Sequence, residues 1–248
     1  MSYFEEEEDW FDPLTELARM TRTFRTSTLV AFTTVFVTTT TTTAVAQDAK
    51  DQLAAHIDTN AGSYTEVAQD IWELAEVGYM ETESTEMLQG TLREAGFEMA
   101  SGVAGMPTAF VASWGGGGPV IGIMGEFDAL PGINQSRSGE RDPIPGKIAG
   151  HACGHHLFGT GSVAAAIAVK DWLERTGQPG TIRVYGTPAE EGGAGKVYMV
   201  RAGLMNDVDA MLHWHASSEN SASASSSLAN KSGKFRFYGQ SAHAAAAP

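Results

Sequence analysis

Short apolar runs alternate with helical patterns along this chain, and this alternation restricts the fold more than any other feature of the sequence. The apolar runs cover residues 108–114, 120–124, 181–186 and 209–215, and the helical patterns cover residues 64–77, 84–95, 157–176 and 196–202. Strands that alternate with helices build a mixed or mostly parallel sheet. We therefore predict an α/β fold with a mixed, mostly parallel sheet and helices on both faces. Because Gly115–Gly118 separates the first two apolar runs, we also predict a β-hairpin there.

Side chains that bind transition metals are concentrated in three segments. His151–His156 contains the only cysteine, Cys153, together with three histidines, while residues 188–193 contain the adjacent acids Glu190 and Glu191. The third segment, His213–His215, adds two imidazoles. Thiolate, imidazole and carboxylate groups bind transition metals, and a carboxylate beside a metal ligand can activate water. This combination predicts a metal-dependent hydrolase.

The same side chains occupy particular places in the predicted fold. Those that follow an apolar run or precede the long helix are Asp128, Cys153, His155, Glu190, Glu191 and His215. Ligands of open α/β sheets bind beyond the carboxyl ends of the strands. We therefore expect these residues to meet at one edge of the sheet.

Composition excludes some classes of partner. The formal net charge is −14, from 30 acidic and 16 basic residues, which argues against binding to nucleic acid or to an anionic membrane surface. A single cysteine excludes an internal disulfide framework.

The first 46 residues have the features of a targeting segment. Two arginines precede the apolar stretch Leu29–Val37, and the small-residue site Ala44–Ala46 follows a threonine run. A basic region, a short apolar region and an A-x-A site are typical of a secretory signal peptide, whereas a transmembrane helix needs a longer apolar stretch. We interpret residues 1–46 as an acidic leader and signal peptide, with Met20 as the better start. The mature protein is then predicted to be exported, with no membrane attachment.

Five ordered motifs carry a resemblance to a known family. They are Gly125–Gly132, Gly150–His155, Thr187–Gly193, Trp214–His215 and Gly239–Ala245. In order and spacing they resemble the amidohydrolase branch of the aminoacylase and carboxypeptidase G superfamily. The resemblance extends from Ala49 to Pro248, and it implies hydrolysis of an amide bond in N-acyl amino acids, with p-aminobenzoyl-glutamate-like compounds as first choice.

The resemblance also implies the roles of individual residues at a centre of two divalent ions. The ligands would be Cys153, which bridges the ions, with His155, Glu191 and His215. Glu190 would be the general base, and Asp128 would orient a ligand imidazole. In a homodimer, His243 of the lid would reach the partner's active site and stabilise the oxyanion. Manganese is the first choice of metal, with zinc or cobalt as alternatives, and a second type of subunit is left open.

The resemblance implies a division into domains as well. Residues 47–228 would form an incomplete catalytic domain that ends in a connector rich in serine and alanine, and residues 229–248 would begin a lid and dimerisation domain. His156 stands where related enzymes often carry Asp or Asn, so its contact with the metal is left open. Because the chain reaches only the start of the lid, we expect a fragment of a longer gene product that lacks one histidine ligand.

Two other functions fit the same residues. In the first, Cys153 is the nucleophile of a cysteine hydrolase and His155 is its base. In the second, the chain is a metal-binding module without catalytic activity.

The export hypothesis predicts a particular mature protein. Cleavage after Ala46 should leave Gln47 as the first residue, in the exported fraction of cells that express the protein naturally. N-terminal sequencing checks this, and a cytosolic product that begins at Met1 or Met20 would contradict it.

Overall fold

The computed structural model describes residues 47–222, 226, 228–229, 231–243 and 245. The predicted leader and signal peptide, residues 1–46, lie outside these described residues. The chain divides into two compact units, of which one ends at Ala216 and the other begins at Ser217. In the second unit the described residues form neither helix nor strand. The domain boundary after residue 228 stays a prediction.

Helices and strands alternate in the first unit as the sequence predicts. The helices are α1 (47–74), α2 (Thr82–Glu94), α3 (His155–Thr176), α4 (Glu190–Gly193) and α5 (Gly195–Arg201). The strands are β1 (Glu98–Ser101), β2 (Phe110–Gly116), β3 (Val120–Gly125), β4 (Leu130–Pro131), β5 (Ala149–Gly150), β6 (Gly180–Gly186) and β7 (Ala210–Leu212). In the described part of the chain, no helix is both long enough and apolar enough to cross a membrane.

Five of the strands form one mixed sheet in the order β1-β2-β6-β3-β7. Strands β6, β3 and β7 are parallel, while β1 and β2 add antiparallel pairs at one side. The predicted hairpin at Gly115–Gly118 is wrong, because β6 lies between β2 and β3 and pairs with both of them. Each of the two strands gains a full-length partner in this arrangement, and the glycine segment spans the width of β6.

Apolar side chains cover both faces of the sheet. On one face, α1, α2 and α3 contribute Ile71, Leu88 and Val163 to a core that includes Phe110 and Val184. The opposite face is smaller. It consists of Met106, Ala109, Tyr185 and Met199, and Met199 belongs to α5. Neighbouring residues of one strand, such as Val184 and Tyr185, point to opposite faces. The predicted α/β fold with helices on both faces is confirmed.

The start of α3 lies very close to the end of β3. Gly159 of α3 touches the backbone beyond β3, because a Cβ at this position would lie only 2.8 Å from the carbonyl oxygen of Glu126. This close approach brings His155, the first residue of α3, against the segment that follows β3. Since β3, β6 and β7 are parallel, their carboxyl ends meet at the same edge of the sheet. The expected convergence of the candidate residues follows from this geometry.

We predict that Gly159→Ala destabilises the fold. The added methyl group forces α3 away from the β3 end, and overpacking of this kind costs about 1–3 kcal/mol. Gly90→Ala is the matched control, because Gly90 is also helical and a Cβ there meets no atom within 4 Å. The control should stabilise the protein by about 0.5–1 kcal/mol. Urea unfolding of both variants measures the difference, and equal stabilities would contradict the close packing.

Candidate metal centre

His155 is the centre of the group of polar side chains at this edge, and its ring is fully buried. Its Nδ1 lies 2.9 Å from Asp128 Oδ1 and 3.0 Å from the Asp128 carbonyl oxygen. Both partners can only accept, so Nδ1 donates and carries the proton. The lone pair of the neutral ring is then on Nε2. This nitrogen lies 2.9 Å from Glu126 Oε2 and 3.9 Å from a carboxylate oxygen of both Glu190 and Glu191.

Cys153 and His215 lie on another side of the same nitrogen. His215 Nδ1 donates to the carbonyl oxygen of Ala216 at 2.9 Å, so its Nε2 also offers a lone pair. That Nε2 lies 3.4 Å from Cys153 Sγ. The sulfur and the Nε2 atoms of His155 and His215 all lie within 4.8 Å of one another. A thiol and two imidazoles at such distances are typical of a transition-metal site.

Asp128 connects the end of β3 to the segment Glu190–Gly193, which we call the acidic turn. Its Oδ1 accepts from His155, and its Oδ2 accepts from the backbone N–H of Glu191 at 2.9 Å. The carboxylate is buried, and each of its oxygens accepts one hydrogen bond, from His155 and from Glu191 respectively. Asp128 orients the imidazole and fixes the position of Glu191 at the same time.

Two residues just before α2, Tyr79 and Glu81, form hydrogen bonds with the backbone at the two ends of the acidic turn. Ala189, which precedes Glu190, has a positive φ of 56°, a conformation that costs roughly 1–2 kcal/mol for an L-residue. Glu81 stabilises it, because its buried Oε1 accepts from the Ala189 N–H at 2.8 Å. The Tyr79 hydroxyl donates to the Gly193 carbonyl oxygen at 2.6 Å. The backbone of the turn is thus fixed at both ends of the Glu190–Gly193 helix.

Several buried polar atoms at the centre make no hydrogen bond among the described residues. They include Glu126 Oε2, His155 Nε2 and Glu191 Oε1. Glu126 Oε2 and His155 Nε2 lie 2.9 Å apart, but with the ring proton on Nδ1 both atoms offer lone pairs, so neither donates to the other. Buried polar atoms are nearly always satisfied. A cation that these atoms share would satisfy all three, so the donor set fits a divalent metal ion.

The pKa values of the surrounding groups reflect a site rich in negative charge. Burial raises the pKa of the Cys153 thiol, and the carboxylates of Glu191 and Glu190 raise it further, to about 11. Although burial acts against a charged imidazole, Asp128 and Glu126 raise the pKa of His155. Burial also raises the pKa of Glu191. An added divalent cation would stabilise each of the anionic forms.

Three residues with no role in the sequence prediction belong to this site. Glu126 is 2% exposed and contacts Lys196 Nζ, and its Oε1 lies 3.4 Å from His213 Nε2. Because alternate residues of an extended segment point the same way, the position of Glu126 two residues before Asp128 could have indicated its direction. His213 likewise lies two residues before His215. Lys196 gives no such signal, because it lies on α5 and approaches Glu126 only in the folded chain.

The remaining candidates lie outside this group of contacts. The ring of His156 packs 5.1 Å from the ring of His151, and His156 belongs to neither of the two ligand groups that the described residues form. His243 belongs to the second compact unit, where its Nδ1 accepts a hydrogen bond from the Ala245 N–H at 3.3 Å. Its predicted role at a partner's active site stays a prediction.

Known proteins share these motifs over most of the first unit. One of the subunits of the p-aminobenzoyl-glutamate hydrolase of Escherichia coli strain K12 is 47% identical over 195 residues, which cover 77% of this chain and 40% of the relative. The Xaa-Arg dipeptidase of Mus musculus is 32% identical over 212 residues, which cover 80% of this chain and 45% of the relative. The chain therefore spans less than half the length of these curated relatives.

Solved structures and a family model agree with this similarity. The Bacillus subtilis YXEP protein, a dinuclear metal-binding peptidase from the M20 family, is similar with a TM-score of 0.54 and 28% identity, over 62% of this chain and 42% of that chain. Residues 122–230, which contain the centre around His155, match the model of peptidase family M20/M25/M40. The resemblance stated from the motifs is confirmed, because the chain contains a domain of peptidase family M20/M25/M40.

Proposed function

We propose that this protein hydrolyses the amide bond of N-acyl amino acids with the help of divalent metal ions. One observation carries the proposal: Glu126 Oε2, His155 Nε2 and Glu191 Oε1 are buried next to one another and have no hydrogen-bond partner in the part of the chain that the structure describes. Apolar or purely structural sites do not leave such atoms unsatisfied. A shared cation explains all three at once.

Four residues are the proposed ligands of the centre: Cys153, His155, Glu191 and His215. When bound, the metal polarises the substrate carbonyl group and lowers the pKa of water. The chain itself keeps the ligands in position. Asp128 holds the proton of His155 on Nδ1, so that Nε2 is free to bind, and the Ala216 carbonyl oxygen does the same for His215.

Glu190 is the proposed general base. Its side chain is 43% exposed, whereas that of Glu191 is 16% exposed, so Glu190 can reach both water and substrate at the open side of the centre. Its carboxylate accepts a proton from the attacking water and then passes this proton to the leaving amine. The carboxylate of Glu191 points into the buried side, which suits a ligand.

The alternative of a cysteine nucleophile has less support. A nucleophilic cysteine needs a lowered pKa, but burial and the neighbouring carboxylates raise the pKa of Cys153 to about 11. The imidazole that faces its sulfur is His215 and not His155. His155 already donates its Nδ1 proton to Asp128.

The proposed function includes a first substrate, a form of assembly, a location and a metal. The similarity to a subunit of p-aminobenzoyl-glutamate hydrolase makes p-aminobenzoyl-glutamate the first substrate to test. We propose a homodimer in which His243 reaches the partner's site, with a second type of subunit as the alternative, and we propose that the mature protein is exported. Manganese is the proposed metal, and zinc or cobalt are the alternatives.

An activity assay tests the proposal. The protein at its full natural length should bind a divalent ion and cleave p-aminobenzoyl-glutamate, N-acetyl amino acids or indole-acetyl amino acids in the presence of Mn²⁺. Elemental analysis establishes that metal is bound. Metal bound at full occupancy without cleavage of any of these compounds would favour the non-catalytic metal-binding module.

The two acids of the turn should differ in their effects. Glu190→Gln removes the base and should lower kcat by about 10²–10⁴-fold, with the metal content unchanged. Glu191→Gln removes a ligand and should lower the metal content. Glu86→Gln is the matched control, because Glu86 is exposed and pairs only with Arg93 among the described residues. Equal loss of metal in both turn variants would contradict the assigned roles.

The thiol of Cys153 should react slowly in metal-free protein. A pKa of about 11 keeps it protonated at pH 8, and only the thiolate reacts with iodoacetamide. Because solvent screens part of the carboxylate charge, we expect alkylation ~10- to 100-fold slower than for the same protein unfolded in urea. Mass spectrometry of EDTA-treated samples follows the reaction. Equal rates in the folded and unfolded states would indicate an activated thiol.

A further inference from the structure

Glu126 is a buried carboxylate with one oxygen aimed at the centre, and the four ligands proposed above do not include it. It follows directly after β3 and is 2% exposed. Its two oxygens have different surroundings. Oε1 contacts Lys196 Nζ and lies 3.4 Å from His213 Nε2, whereas Oε2 has no hydrogen-bond partner and faces His155 Nε2 at 2.9 Å.

We propose that Glu126 is a further ligand of the metal centre, through Oε2, and that this carboxylate strengthens the binding of Mn²⁺ more than that of Zn²⁺. The inference rests on the proposed metallohydrolase function. Two donors that bind one ion at the usual distances lie roughly 3 Å apart, and the separation of Glu126 Oε2 and His155 Nε2 is close to this. Glu126, His155 and Glu190 also form a group whose donor atoms lie within 4.8 Å of one another.

The donors around His155 Nε2 form two chemically different groups. Cys153 and His215 supply sulfur and nitrogen, which suit Zn²⁺. Glu126 and the proposed ligand Glu191 supply only oxygen, which suits Mn²⁺ and other hard ions. A buried carboxylate on the oxygen side therefore adds more to the binding of Mn²⁺ than to that of Zn²⁺, for which the sulfur and nitrogen donors suffice.

Lys196 and His213 prepare Glu126 for this role. Both contact Oε1 only, so they fix the carboxyl group while Oε2 remains directed at His155. The Lys196 ammonium also offsets one negative charge of the acid cluster, which allows Glu126 to be buried as a carboxylate. A ligand that is held in place before the ion arrives loses little conformational entropy on binding.

Metal titration of the protein and its Glu126 variants tests the inference. Glu126→Gln keeps the shape but loses the charge and an acceptor, and it should weaken Mn²⁺ binding by at least ~10-fold while Zn²⁺ binding changes less. Glu126→Asp keeps the charge but is one methylene shorter, so it should also lose Mn²⁺ affinity. Competition with a chelating dye gives both affinities. The visible absorption bands of bound Co²⁺, which depend on the ligands, should change in both variants.

Matched controls come from an exposed pair on α3. Glu174→Gln removes a carboxylate that contacts Lys170, and it should leave both metal affinities and the Co²⁺ spectrum unchanged. Circular dichroism establishes that each variant is folded.

Several outcomes would overturn the inference. They are unchanged Mn²⁺ binding in Glu126→Gln, an equal loss of Mn²⁺ and Zn²⁺ affinity, or full Mn²⁺ affinity in Glu126→Asp, which would show that only the charge matters. If the unsubstituted protein binds neither ion, the proposed function itself fails. If the unsubstituted protein binds both ions but any of the first three outcomes occurs, the proposed function stands and only the assignment of Glu126 as a ligand is rejected.

Discussion

The imidazole of His155 lies between two buried carboxylates, and the arrangement of the whole centre depends on this contact. Asp128 takes the Nδ1 proton, and Glu126 faces Nε2. The Asp128 carboxylate is buried with the N–H groups of His155 and Glu191 as partners, and Glu126 is buried beside the Lys196 ammonium, because an isolated buried charge costs far more free energy than a domain can supply. The β3 end and the first turn of α3 must therefore stay together. Gly159 permits this approach, because it has no side chain where α3 meets the Glu126 backbone.

Part of the negative charge of the protein is concentrated at this edge of the sheet. Besides Glu126 and Asp128, the turn after β6 brings Glu190 and Glu191 to within 3.9 Å of His155. Four carboxylates face one imidazole and one lysine, so the cluster repels further anions and attracts cations. The raised pKa of the Cys153 thiol has the same cause. A divalent ion would relieve the repulsion and make the thiolate available as a ligand at neutral pH.

The order of the strands brings the acidic turn to His155. Because β6 pairs with β3 along its whole length, the segments that follow the two strands leave the sheet side by side. The N–H of Glu191 then reaches Asp128, and Glu81 holds Ala189 from the other side. If β2 and β3 had formed a hairpin, β2 would occupy the edge of β3 where β6 lies, and β6 could not pair there. The order of the strands therefore decides the geometry of the candidate metal site.

The sequence by itself determined the α/β class and most of the helices and strands, and it indicated candidate residues that meet at one edge of the sheet, because these depend on local patterns. Apolar runs of strand length, a glycine-flanked cysteine among histidines and an acid pair after a strand can all be recognised without long-range contacts. The tertiary structure decided the insertion of β6 between β2 and β3, because pairing partners that are distant in sequence compete on equal terms with adjacent ones. It also decided the inclusion of Glu126, Lys196 and His213. Spacing alone could indicate only the directions of Glu126 and His213, and only the fold brings an ammonium group from α5 and an imidazole from beyond β7 onto one buried carboxylate.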